Sequence, residues 1–241
     1  MTRITAVIGT AGGVGTTRLT VECGATLARA GHDVAIFDAA FATQGLRTYV
    51  DETIEPDVTA LLTDEASLGD VLYDVSVELP GRLVLAPARA PFERLARAQT
   101  AGAAQRFERQ LAAASLSHDV VLVDTPPVDG NQAVAAVNAA DRTVLVTADT
   151  HRGRDALSLM RGRLADIGAS ADAVLRNRDT GVLSEGLAIP DSDVTAASDA
   201  PLCATPDETF APAVASAVEE LFDVSVDVDG QSVGRLGGWL G

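Results

Sequence analysis

The chain has 241 residues, 47% of them hydrophobic, enough to bury the core of one α/β domain but crowded for two. Its 18 basic residues are all arginine and face 34 acidic ones, for a net charge of -16. This argues against broad binding to a nucleic-acid backbone and suits a salt-rich cytoplasm that screens self-repulsion. No charged segment followed by an apolar run and cleavage site opens the sequence, and no apolar stretch of about 18 residues occurs, so a cytoplasmic protein without secretion signal or membrane span is expected.

In chain order, short β-branched runs alternate with helical patterns, as in βαβ units of a mostly parallel sheet with helices on both faces. Strands are predicted at Ile4 to Gly9, Val34 to Asp38, Arg82 to Ala86, Val120 to Asp124, Thr143 to Thr147 and Ala173 to Arg176. Helices are predicted near Thr17 to Ala30, Val58 to Thr63, Leu68 to Tyr73, Phe92 to Ala114, Asn131 to Val137, Arg154 to Asp166 and Pro212 to Phe222. The runs ending Phe37-Asp38 and Val123-Asp124 are apolar up to their terminal carboxylates, as expected of strands covered on both faces. Ligands of open α/β sheets bind outside the carboxyl ends of the strands, where Gly9, Asp38 and Asp124 all fall.

Between the first strand and first helix lies Gly9-Thr10-Ala11-Gly12-Gly13-Val14-Gly15-Thr16-Thr17, a phosphate-binding loop in outline with every lysine missing. Glycines let backbone N–H groups curl around a phosphate, the helix N-terminus adds partial positive charge, and the Thr17 hydroxyl is placed to hold Mg²⁺. Thr16 stands where such loops carry the lysine that reaches the β- and γ-phosphates. A general drift away from lysine is a weak explanation, because arginine does not replace a phosphate-binding lysine freely and Thr16 is not even arginine. The run His118 to Pro127 reads as a Walker-B-type strand whose Asp124 would hold Mg²⁺. Alone it would equally be a plain turn.

The order and spacing of these elements resemble the MinD/ParA branch of the deviant Walker A ATPases over nearly the whole domain, with features similar to haloarchaeal MinD-like proteins. Members carry Lys-Gly-Gly-Val-Gly-Lys-Thr-Thr where this chain has Ala11 to Arg18, and Glu22 to Ala28 resembles their first helix. Ile36 to Phe41 is similar to the switch I strand, Leu175-Arg176-Asn177-Arg178 to the element whose asparagine contacts adenine, and Ala188 to Val194 to the loop closing over the base. The resemblance implies a P-loop NTPase-like fold binding ATP or ADP with Mg²⁺. Gly12, Gly13, Val14, Gly15, Thr16, Thr17 and Arg18 would surround the phosphates, Asn177 and Pro190 the base, and Thr17, Asp38 and Asp124 the metal.

The departures cluster. Relative to the family, Ala11 replaces the signature lysine, Thr16 the loop lysine and Ala40 the second switch I aspartate, all tied to the γ-phosphate or its hydrolysis. A hydrogen bond to a charged group contributes about 1.5–3 kcal/mol, so binding would survive, weakened roughly ten- to a hundredfold. Cations at a phosphoryl-transfer centre are worth about 10³–10⁵ in rate, so hydrolysis would not survive. No catalytic residue is therefore assigned. The reading is a regulatory or scaffolding member with weak or lost nucleotide binding, as a homodimer or paired with an active relative. The alternative is an active positioning ATPase in which Arg18, expected to face solvent or a partner, or a partner's residue supplies the cation.

Other features read as structural. Cys23 and Cys203 are expected as core thiols. His32, His118 and His151 lie apart in sequence and read as surface or capping residues. Arg152, Arg154, Arg161 and Arg163, and likewise Arg94, Arg97, Arg106 and Arg109, read as solvated helix faces, with no nucleic acid as expected partner. The domain is placed at residues 1–224 and an acidic linker with a glycine-rich tail at 225–241. Val233, Leu236, Trp239 and Leu240 would share one apolar face of a tail helix able to touch a membrane, but Gly234, Gly237, Gly238 and Gly241 oppose a helix, so a disordered or docked tail is the preferred reading.

Overall fold

The strand β1 (Arg3–Gly9) pairs in parallel with β5 (Val120–Thr125) on one side and β6 (Arg142–Ala148) on the other, and the rest of the molecule grows outward from this centre. In this computed structural model the described residues are 3–63, 65–194, 196–204 and 209–226. Among them, eight strands form one sheet in the order β3-β4-β2-β5-β1-β6-β7-β8. Here β2 is Asp33–Asp38, β3 Tyr73–Asp74, β4 Arg82–Ala86, β7 Ala173–Asn177 and β8 Leu187–Ile189. Only the β3–β4 pair is antiparallel.

Both faces are covered, which explains the continuous apolar strands. Val34 and Ile36 of β2 face a cluster built with α1 (Thr16–Arg29) and α7 (Phe210–Phe222), while Ala35 and Phe37 face one built with α4 (Ala101–Ala114) and α5 (Asn131–Ala139). A third cluster joins Ile8 and Leu145 to Leu157, Met160 and Leu164 of α6 (His151–Asp166). Two shorter helices, α2 (Val58–Leu62) and α3 (Phe92–Ala98), complete the second face. Cys23 and Cys203 are both buried; burial pushes the Cys23 thiol up to about 12.

Three expectations change. The helix predicted over Phe92 to Ala114 is two helices, because Thr100 turns to an extended conformation and its hydroxyl accepts from the Ala103 N–H, capping α4. The helix predicted over Leu68 to Tyr73 is a single 3-10 turn, Gly69–Val71, followed by β3, whose Asp74 accepts from Arg82 Nε at 2.8 Å across the strand pair. Tyr73 and Asp74 are too few to show periodicity, as are the three residues of β8. Finally, packing continues through Val226, which is buried and donates its N–H to Glu219 Oε1 at 2.9 Å. The tail with Trp239 lies outside the described residues.

Candidate functional site

The glycine loop leaves the end of β1 and enters α1 through two left-handed positions, Gly13 at φ 76° and Gly15 at φ 91°. Gly15 is the helix N-cap, and no side chain caps the first turn, an arrangement that offers N–H groups to an anion. A Cβ on Gly12 or Gly13 would meet nothing within 4 Å, so the space over the loop is open. A Cβ on Gly15 would collide with Asn177 Nδ2, which donates at 2.8 Å to the Val14 carbonyl. Asn177, at the end of β7, thus clamps the loop from the side, while the Val14 side chain anchors it in the core. Thr16 Oγ1 folds back to within 2.5 Å of where a Cβ on Gly9 would sit.

Asp38 and Asp124 are register partners on the adjacent strands β2 and β5, both buried. Asp38 accepts from the Ala40 N–H at 2.8 Å and the Ala88 N–H at 3.2 Å, and Asp124 Oδ2 accepts from Thr17 Oγ1 at 2.6 Å. Burial, and after it the Asp124 charge, pushes the Asp38 carboxyl up to about 8 despite those amides. Burial pushes Asp124 up to about 6, against the Thr17 hydrogen bond. Burial is the larger cause in both.

Arg18 departs from expectation. Its Nε donates to Glu22 Oε1 at 2.6 Å, and its side chain is only 18% exposed. Glu22 is fully buried and also accepts from the Leu202 N–H at 3.0 Å and the Cys203 N–H at 2.8 Å. A buried carboxylate one helical turn away draws the guanidinium inward rather than to solvent. Arg18 Nη2 is buried with no hydrogen-bond partner among the described residues.

Two cavities meet at this residue. One, of about 400 Å³, lies over the loop and is lined by Thr16, Thr17, Ala11, Ala40 and Asp124 among others. The other, of about 160 Å³, is lined by Asn177, Arg178, Asp191, Ser192, Val194 and Phe210 among others, with Arg178 Nε 3.7 Å from Asp191 Oδ1. Gly15, Arg18 and Tyr49 line both. Tyr49 comes from a 3-10 turn, Gly45–Tyr49, that packs on the loop: a Cβ on Gly45 would lie 3.2 Å from Thr17 Oγ1. Burial raises the Tyr49 phenol, while neighbouring Arg18 lowers it.

The fold therefore assembles Gly12, Gly13, Gly15, Thr16, Thr17, Arg18 and Asp124 around one cavity, with Asn177 at the other; Asp38 is buried beside Asp124. Pro190 follows β8 and does not wall the second cavity, where Asp191, Ser192 and Val194 stand instead. The site also contains Glu22 and Tyr49, absent from the expected set. Glu22 had a signal, a lone acid four residues after Arg18 on an otherwise apolar helix face; Tyr49 had none.

Of the arginines expected on solvated helix faces, Arg97, Arg109, Arg152, Arg154 and Arg161 are exposed and Arg94, Arg106 and Arg163 half-buried, and several also tie segments together. Arg94 reaches Asp57 at 3.1 Å, Arg97 reaches Glu65 at 2.7 Å, and Arg161 makes a two-point pair with Glu185. Arg154 and Arg163 donate to the Val182 and Val128 carbonyls. His118 is buried against the Ala114 carbonyl at the end of α4, a capping position, and His151 begins α6.

These groups fit a nucleotide with a divalent cation: an uncapped helix start under open space, an unpartnered buried guanidinium nitrogen, and a hydroxyl and two carboxylates with oxygen-donor chemistry. A glycine loop between the central strand and first helix, with carboxylates ending neighbouring strands, defines a P-loop NTPase-type domain. The family model described as an AAA domain matches residues 2–170. Among curated relatives, the sporulation initiation inhibitor protein Soj of Bacillus subtilis is 30% identical over 60% of this chain and 58% of its own length. The antiactivator FleN of Pseudomonas aeruginosa is 31% identical over 73% of this chain and 61% of its own. The chain thus spans about three fifths of each of these relatives. The septum site-determining protein MinD of Pyrococcus horikoshii, solved with Mg-ADP, shares the fold at a TM-score of 0.78 and 18% identity, over 92% of this chain and 96% of that one. The chain belongs to this AAA-domain family.

Proposed function

We propose that this chain is a MinD/ParA-type positioning protein of the cytoplasm that keeps a pocket for ATP or ADP with Mg²⁺ but hydrolyses ATP very slowly or not at all. It acts as a regulatory or scaffolding partner in cell division or partitioning, as a homodimer or with an active relative. The carrying observation is that Arg18 is the sole cationic side chain among the described residues lining the loop cavity, and Glu22 holds it by its Nε. Ala11, Thr16 and Ala40 line the same cavity without charge. A bound Mg²⁺ would supply charge neutralisation beside the phosphates, with Thr17, Asp38 and Asp124 as its candidate holders. The loop amides bind and orient, Asn177 keeps the loop in shape, and among the described residues Arg18 alone brings a cation to the cavity. The regulatory part draws on the relatives' names, an inhibitor and an antiactivator, and the positioning part on the septum site-determining neighbour.

An active ATPase using Arg18 is favoured by one observation, the unpartnered Nη2 of that residue. Titration with Mg-ATP in multimolar KCl, following binding and phosphate release together, separates the readings. Binding without release supports the proposal. Turnover matching an intact relative and abolished by Asp124→Ala overturns it, and absence of any binding at millimolar nucleotide overturns the retained pocket.

A further inference from the structure

Resting on that reading, we infer that the pocket recognises a nucleotide by its α- and β-phosphates through Arg18 and gains almost nothing from the third phosphate, so that a nucleoside diphosphate binds as well as a triphosphate.

The placement of charge carries this. The loop cavity and the smaller side cavity share Gly15, Arg18 and Tyr49, so a ligand occupying both must cross that junction. Phosphates belong over the loop, where N–H groups and the start of α1 favour anions. The side cavity, with Ser192, Phe210 and the Arg178–Asp191 pair beside Asn177, offers a hydroxyl, an aromatic ring and charged hydrogen-bonding groups to a base. A nucleotide so laid has its first phosphates beside Arg18 and its last at the far end of the loop cavity.

Arg18 is prepared for such a ligand. Glu22 fixes the guanidinium by Nε, and Leu202 and Cys203 fix Glu22 in turn, so little side-chain entropy remains to be lost on binding. The buried Nη2 has no partner among the described residues, a cost that an anionic oxygen would remove. The far end is the opposite. Ala11, Thr16 and Ala40 offer no charge there, and Asp124 lines the cavity with Asp38 at its side. An added phosphate there meets amides and hydroxyls of the loop but, among the described residues, no cationic side chain.

The test is isothermal titration of the full chain with Mg-ADP, Mg-ATP, AMP and adenosine in high KCl. Expected are ADP and ATP affinities within about threefold, a loss of roughly tenfold or more from ADP to adenosine, and displacement of ADP by pyrophosphate. Arg18→Gln paired with Glu22→Gln, which avoids leaving a buried charge unpaired, should weaken ADP and ATP alike by roughly tenfold or more. ATP binding more than about tenfold tighter than ADP in the unaltered protein overturns the inference and leaves the nucleotide-pocket reading standing. Failure of every nucleotide to bind overturns both. The comparison of ADP with ATP needs no variant, so a fold defect in the double substitution does not shelter the inference.

Discussion

Arg18 Nε lies 2.6 Å from Glu22 Oε1, so the cation of the phosphate loop is held from behind by a carboxylate with no solvent exposure. The pair joins the loop cavity to the Leu202–Ala204 turn, because the Leu202 and Cys203 amides share the same carboxylate. Removing one partner of such a pair costs more than the pair contributes. Arg18→Ala should lower unfolding free energy by about 2–4 kcal/mol, and Arg18→Ala with Glu22→Gln by clearly less. Urea denaturation measures both; a single variant as stable as the parent contradicts the arrangement.

The Asp38–Asp124 pair predicts an unusual pH dependence. Both folded-state values lie above those of an exposed acid, with Asp38 at about 8 and Asp124 at about 6. The folded chain then holds protons that the unfolded chain has released. This contribution to stability is full at low pH, below about 4, and is lost as pH rises towards 8. In EDTA the urea midpoint should therefore fall between pH 5 and pH 8, and Asp38→Asn should flatten the slope. A midpoint that rises over this range in the parent, with no change in Asp38→Asn, refutes the assignment.

Restoring the missing groups should restore chemistry if the frame is intact. The combined variant Ala11→Lys, Thr16→Lys and Ala40→Asp should release phosphate at least about tenfold faster than the parent, since such groups are worth about 10³–10⁵ where fully placed. Steady-state phosphate release with Mg-ATP decides it. A parent already as fast as the combined variant would show that the lost charges were not limiting.

The Asn177 clamp predicts a loop that loosens when cut. Asn177→Ala removes the donor to the Val14 carbonyl and should cost about 1–3 kcal/mol, with faster amide exchange at residues 12–15. Gly15→Ala should cost at least about 1 kcal/mol, because φ 91° is a left-handed position and the added methyl collides with the clamp. Unchanged exchange in Asn177→Ala would mean the loop holds its shape alone.

Much of this was legible in local patterns. The strand, glycine turn and helix at Ile4 to Ala30 form through near-neighbour chemistry, apolar runs, glycines at φ above zero and helical spacing, so order and element type could be read directly. The terminal carboxylates of Phe37-Asp38 and Val123-Asp124 announced themselves the same way. The break at Thr100 and the strand at Tyr73 were not legible, because a capping threonine also fits mid-helix and two residues have no period.

The sequence by itself determined the sheet's class, the shape of the loop and the absence of lysine from it, since each depends on residues adjacent in the chain. Tertiary structure decided the rest. It set Asp38 against Asp124 by placing β5 between β1 and β2, brought Asn177 across 163 positions to Val14, and let the Leu202 and Cys203 amides hold Glu22 so that Arg18 turns inward. A side chain's charge is written in the sequence, but its partners and its solvent are not, and those determine what the charge is available to bind.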